Sequence, residues 1–208
     1  LWLETARGAG SPAGRLTMEA GSFDSFRAAA SHRGSQGALS WFVGASHELT
    51  DNDARFNHFD QSRGALRSEW TAGDWTTGVT FRATDSRYEN PHSFAPSIDR
   101  LDSTLATIFT EGRFSPGWFA RFTGGFYREE YDSDSAFGNY GTDLDRYAFA
   151  TDHAIEISPC HRLLAGASWE ATDYLNTIGT DVARDRYGAY SGLEWSPFDE
   201  LTTHAVVR

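Results

Sequence analysis

The stretch Phe114-Ser115-Pro116-Gly117-Trp118-Phe119-Ala120-Arg121-Phe122-Thr123-Gly124-Gly125-Phe126-Tyr127 decides how the rest of the chain is read. Side chains on a strand alternate faces, so Trp118, Ala120, Phe122, Gly124 and Phe126 share one side and Phe119, Arg121, Thr123, Gly125 and Tyr127 the other. The first side is apolar and the second carries charge. Pro116-Gly117 is a turn signal short enough to fold the preceding run, Leu101 to Phe114, back as an antiparallel partner. The unit is a hairpin with one oily and one wet face.

The same grammar recurs through all 208 residues. Strand-type runs are expected at Ala13 to Gly21, Phe26 to Arg33, Ala38 to His47, Gln61 to Thr71, Trp75 to Asp85, Leu101 to Phe114, Trp118 to Arg128, Arg146 to Ile157, Arg162 to Thr172, Arg186 to Trp195 and Leu201 to Arg208. The phase is least clean in Leu101 to Phe114. Tight connections (Gly34 to Gly37, Ala72 to Asp74, Ser115 to Gly117, Ser158 to His161, Ser196 to Glu200) alternate with long ones (Glu48 to Asp60, Asp85 to Asp102, Glu129 to Asp145, Asp173 to Asp185). Ser22 to Ser25 is short where the alternation calls for a long one. The long connections hold 17 of the 29 acidic residues, so the formal charge of −11 belongs to one end of the meander. Trp41, Trp70, Trp75, Trp118 and Trp195 lie close to tight turns, whereas Tyr88, Tyr131, Tyr147, Tyr174 and Tyr187 lie near long connections. A sheet that crosses a membrane has two such different ends, with amphipathic aromatics at each interface. These ten residues are therefore expected to form two girdles.

Several classes drop out. No apolar run approaches the ~20 residues of a membrane helix. The mean hydropathy of −0.50 leaves strand spanning open, because a membrane strand is polar on its wet side. The acidic balance and the lack of a basic run exclude a nucleic-acid partner. The single cysteine, Cys160, forbids an internal disulfide. No histidine spacing suggests zinc, and in Asp152-His153 neighbouring strand residues face opposite sides, so no catalytic residue is expected.

With these features in place, two segments carry a resemblance. Leu1-Trp2-Leu3-Glu4-Thr5-Ala6-Arg7 resembles the last strand of the plug domain of a TonB-dependent outer-membrane receptor of the cobalamin and siderophore type. Gly14-Arg15-Leu16-Thr17-Met18-Glu19-Ala20-Gly21-Ser22-Phe23-Asp24-Ser25-Phe26-Arg27 resembles the first hairpin of its barrel, which accounts for the one short outer connection. The resemblance implies residues 1–12 as the end of the plug with a linker, and 13–208 as the N-terminal half of a barrel. The expected fold is thus all-β, an antiparallel up-and-down meander of about ten or eleven strands forming part of a transmembrane β-barrel. The chain opens without Met or a signal peptide and carries neither the energy-coupling box nor most of a plug, so a piece of a longer protein is expected.

The resemblance further implies a bacterial outer-membrane location, contact with lipid, coupling to a TonB-type protein through the plug region, and uptake of a metal chelate or cobalamin. Ligand contacts are expected from the long connections, at Asp51, Asp53, Tyr88, Tyr131, Asn139 and Tyr140. The carboxylate-rich Glu129 to Asp145 segment offers oxygen ligands for calcium at Asp132, Asp134 and Asp143, beside the plainer reading of a solvated acidic loop. No other cofactor is expected. A passive porin-type or adhesin-like barrel, and a soluble all-β carbohydrate-binding protein, are the alternatives.

Overall fold

The computed structural model describes residue 8 and residues 10–52, 56–91, 96–198 and 201–207. The segment Leu1 to Arg7, expected as the last strand of a plug, lies outside them. Alternating apolar and polar residues, with Gly or Pro-Gly between runs, fold into eleven strands: β1 (Ala13–Ala20), β2 (Phe26–Gln36), β3 (Leu39–Thr50), β4 (Phe59–Ala72), β5 (Trp75–Asn90), β6 (Ser97–Ser115), β7 (Trp118–Ser135), β8 (Gly138–Ser158), β9 (His161–Asn176), β10 (Asp181–Phe198) and β11 (Leu201–Val207). They form one sheet in which each strand pairs antiparallel with its sequence neighbours and β1 and β11 are the edges. This is an open up-and-down meander. Gly37, Gly73 and Gly117 take positive φ of 59°, 58° and 83°, the left-handed backbone that two-residue hairpin turns require.

The strands overrun the expected boundaries at one end. Glu129 to Asp145, expected as a loop, is mostly paired strand: Ser135 pairs with Gly138, leaving only a tight turn between β7 and β8. Asp and Ser disfavour strands locally, but an unbroken ladder of backbone hydrogen bonds with both faces in solvent overrides that preference. The other long connections shrink likewise, to 51–58, 91–96 and 177–180. The two ends of the meander thus differ chiefly in strand overhang. β8 runs 21 residues, about twice the nine to eleven that cross a bilayer.

Register assigns every side chain to a face, because directly paired residues point the same way. Trp118 pairs with Ile155, Ile155 with Leu163, and Leu163 with Leu193, all on one face. On that face, called outward here, lie Val79 and Phe81 of β5, Ile108 of β6, Phe122 and Phe126 of β7, Phe149 of β8 and Trp169 of β9. Among the described residues no second layer covers it. Val79 is 40% exposed, Phe81 41%, Ile108 56% and Trp169 37%. Half-buried Phe122 packs its ring against Phe114 and His153 of the same sheet. Among the described residues the buried apolar side chains are Phe109 and Ala120 alone, so this sheet has no hydrophobic core of the soluble kind. At two positions in that band the polar atoms satisfy each other: the hydroxyls of Thr77 and Thr110 bond at 3.0 Å.

The inward face is polar and laced with ion pairs. Arg67 joins Glu69 through Nε at 2.7 Å, Arg162 meets Glu194 at 3.2 Å, and Arg121 meets Glu111 at 3.6 Å. Phe109 lies flat over Gly78, between the guanidiniums of Arg67 and Arg121 at 5.9 and 5.2 Å from its ring centre. Tyr190 similarly lies over Gly166 and donates to Asp152 at 2.7 Å. Asp152 therefore faces inward while His153 faces outward, as alternation requires.

Candidate ligand site and membrane face

At the overhanging end, the inward face carries four tyrosines on β5, β7, β8 and β9. Tyr88 pairs across to Asp99, and Asp99 to Ser133, which lies opposite Tyr140. Tyr131 sits one step along β7, diagonal to Tyr140 on the next strand, the spacing at which long aromatic side chains on a sheet still meet, and its phenol reaches across β6 to hydrogen-bond that of Tyr88. The Tyr131 and Tyr140 rings are 6.4 Å apart, and the Tyr140 and Tyr174 hydroxyls 3.4 Å. The row is continuous. Burial, with Tyr131 and Asp99 adding to it, pushes the Tyr88 phenol above its ordinary pKa, and the bond to Tyr174 does the same for Tyr140. Both therefore stay protonated and able to donate at neutral pH. Asp99 beneath them is buried and accepts from Ser133 Oγ at 2.5 Å.

Three of the residues expected to touch a ligand, Tyr88, Tyr131 and Tyr140, are thus brought together, and Tyr174 joins them. Continuing the alternation from outward Trp169 puts Tyr174 inward, a signal that proximity to a connection does not carry. Asn139 lies apart, on the outward face opposite Asp134. Asp51 sits in the β3–β4 connection, where it meets His58 Nδ1 at 2.7 Å, and Asp53 is outside the described residues.

Asp132, Asp134 and Asp143 share the outward face, but they lie on strands and not in a loop that wraps an ion; Asp143 stands opposite Glu130 and Asp132 opposite Gly141. No group of three His, Cys, Asp or Glu side chains converges as metal ligands among the described residues. The carboxylates instead form an outward row with Asp85 and Asp102, directly above the apolar band. That row marks where the oily surface stops.

At the other end, Trp41, Trp70, Trp75, Trp118 and Trp195 all face outward beside the short turns. Three of them sit against a histidine of the adjoining strand: Trp41 with His32, Trp118 with His153 and Trp195 with His161, at ring separations of 5.9, 6.1 and 6.5 Å. The second expected girdle is divided. Tyr147 and Tyr187 face outward, but Tyr88, Tyr131 and Tyr174 face inward, because distance from a turn gives a side chain its height and only register gives its face.

An apolar band bounded by indoles on one side and carboxylates on the other, backed by a charged interior face, is the surface pattern of a transmembrane barrel wall. No protein-family model matches the chain, and no curated protein sequence does either. Solved structures do match. The alcaligin outer-membrane receptor FauA of Bordetella pertussis superposes with a TM-score of 0.69 at 12% identity, over 90% of this chain and 36% of that one. The siderophore receptor PirA of Pseudomonas aeruginosa gives 0.72 at 18% identity over 97% of this chain and 37% of that one. BauA, the ferric preacinetobactin receptor of Acinetobacter baumannii, gives 0.73 at 11% identity over 97% and 48%. The fold is therefore that of a barrel wall of the outer-membrane siderophore-receptor type, in agreement with the resemblance drawn from the sequence. The chain spans less than half the length of these structures.

Proposed function

We propose that this chain forms one wall of a bacterial outer-membrane receptor that actively imports a scarce nutrient, a ferric siderophore or cobalamin. In this reading the outward band contacts acyl chains and the short turns with their indoles lie on the periplasmic side. The overhanging strands project outside the cell. The tyrosine row on their inner face captures the ligand by stacking and hydrogen bonding, and a TonB-type protein drives release through a plug contributed by other parts of the protein.

The observation that carries the proposal is the tyrosine row itself. Four ring-bearing donors on four strands face one side at the outer end of the lumen, where an incoming solute first meets the wall. Phenols hold ring-rich, oxygen-rich ligands by area and by hydrogen bonds without fixing their charge.

The test is uptake by cells carrying the full-length parent receptor. Labelled iron chelates and cobalamin are offered with and without a protonophore, and Tyr131→Ala and Tyr140→Ala are compared with the unmodified protein. Protonophore-sensitive uptake, with apparent affinity lowered roughly tenfold by either variant, is expected from the loss of one stacked, hydrogen-bonded ring. Uptake indifferent to the protonophore and open to unrelated small solutes would instead mark a passive pore.

A further inference from the structure

Before it enters β1, the chain crosses the end of the β2–β3 hairpin and touches it closely. Gly34 pairs directly with Trp41 beside the short turn, and Gly8 is pressed against the backbone of that pair. A Cβ on Gly8 would lie 2.2 Å from the Trp41 carbonyl oxygen, 2.5 Å from the Trp41 nitrogen and 2.6 Å from the Gly34 carbonyl oxygen. These are backbone atoms of a paired ladder and cannot swing aside, so the seat admits glycine alone.

Two further contacts follow. The Gly10 carbonyl accepts from the backbone N–H of Ser35 at 3.0 Å and from its hydroxyl at 3.1 Å. Gly10 reaches that position with a φ of 76°, left-handed backbone that suits glycine. Pro12 then lies against Gly34, where an added Cβ would come within 2.8 Å of Pro12 Cα and 2.9 Å of the Trp41 indole, and Gly34 is buried. A Gly-rich stretch would also suit a slack linker. Here, however, the glycines at 8 and 10 make contacts, and both contacts precede Ala13, the first residue of β1.

Their place in the chain matters because β1 is an edge strand of eight residues. A strand end opens bond by bond, at far less cost than the whole ladder, so tension applied at residue 12 would peel β1 from β2. The Gly8 seat and the Ser35 fork come before that ladder. They pass the load to β2 and β3, which are paired on both sides.

We infer that Gly8, Gly10 and Pro12 form a clamp that fixes the incoming chain to the β2–β3 hairpin, so that tension from the preceding segment stops at Gly8 and β1 stays zipped. The inference rests on the receptor reading, in which that segment leads from the plug and an energy-coupling protein pulls on it. The clamp is then the fixed point against which the plug is moved.

The experiment uses the full-length parent receptor with Cys160→Ser and a single nitroxide label on Ser11→Cys, an exposed position between the contacts. Heat-modifiable mobility checks the assembly of every variant. The label should move slowly in this parent and in Ser35→Thr, which keeps the donor hydroxyl. It should move faster in Gly8→Val, and faster still in Gly8→Val with Ser35→Ala. In cells offered labelled iron chelates and cobalamin, the double variant should bind ligand with unchanged affinity under a protonophore, yet lose Vmax of energised uptake several-fold, because slack absorbs part of the pull. A label as immobile in the double variant as in the parent, or full Vmax in a variant whose label is freed, overturns the clamp and leaves the receptor reading intact. Parent uptake indifferent to the protonophore removes the receptor reading, and with it the role given to the clamp.

Discussion

Trp118 donates its indole N–H to Nδ1 of His153, 3.4 Å away on the neighbouring strand, and His153 Nε2 lies 2.8 Å from Thr151 Oγ1. With Nδ1 accepting, the imidazole proton sits on Nε2 and is donated to the threonine, so the three residues form one satisfied chain at the turn-side edge of the apolar band. The same device recurs where Trp41 donates to His32 Nδ1 at 2.9 Å. Replacing His153 by Leu leaves the indole donor to find water or a lipid headgroup. A loss of about 1 kcal/mol is expected, the ordinary net worth of one such bond. Trp118→Ala loses both the bond and the anchor and should cost more. The midpoint of denaturant unfolding in lipid micelles measures both, and an unshifted midpoint for His153→Leu together with Trp118→Ala would show that these pairs do not hold the edge.

Gly78 carries a different kind of constraint. A Cβ there would lie 2.5 Å from the Phe109 ring, so any larger residue lifts that ring off the wall and out from between Arg67 and Arg121. Gly78→Val is expected to destabilise by about 1–3 kcal/mol through overpacking. The double variant Gly78→Val with Phe109→Ala should recover part of that loss, because the clash is removed. Equal stability of Gly78→Val and the parent would refute the packing.

Asp102 lies above the apolar band, in the outward carboxylate row between Asp85 and Glu130. Burial first, and then the charges of Asp85, Glu130 and Asp132, push its pKa up from the ordinary aspartate value. The folded form thus favours the protonated acid, so its contribution to stability is greatest at low pH and is lost as pH rises through the elevated pKa. Asp102→Asn should stabilise the protein at neutral pH and make little difference well below pH 4. Unfolding midpoints of the two proteins across that range give the comparison, and a difference that grows toward acid would have the wrong sign.

The meander was legible in the sequence because each hairpin announces itself twice, by its Gly or Pro-Gly turn and by alternation on both sides of it. Phe114 to Tyr127 shows both and lies where it was expected, on β6 and β7. Strand ends were not legible where alternation dissolves into Asp, Ser and Tyr. There the backbone ladder continues without an oily face to mark it, as from Glu129 to Ser135. The face of a tyrosine was equally hidden: Tyr131 and Tyr147 look alike by their distance from a connection, and only the pairing of β7 with β8 turns one inward and the other outward.

The proposal that the outward face stands in lipid is tested most directly by alternation along β7. In a full-length parent with Cys160 replaced by Ser, single cysteines at 121 to 126 carry a nitroxide label whose collisions with oxygen and with a water-soluble nickel chelate are measured in bilayers. Gly124 and Gly125 both have room for the added Cβ, whose nearest neighbours would be the Ile108 side chain at 3.4 Å and the Thr107 side chain at 3.7 Å. Labels at 122, 124 and 126 should collide mainly with oxygen, and those at 121, 123 and 125 relatively more with nickel, a period of two that follows the strand. Equal accessibility at odd and even positions, or the reverse phase, would contradict a membrane-spanning wall.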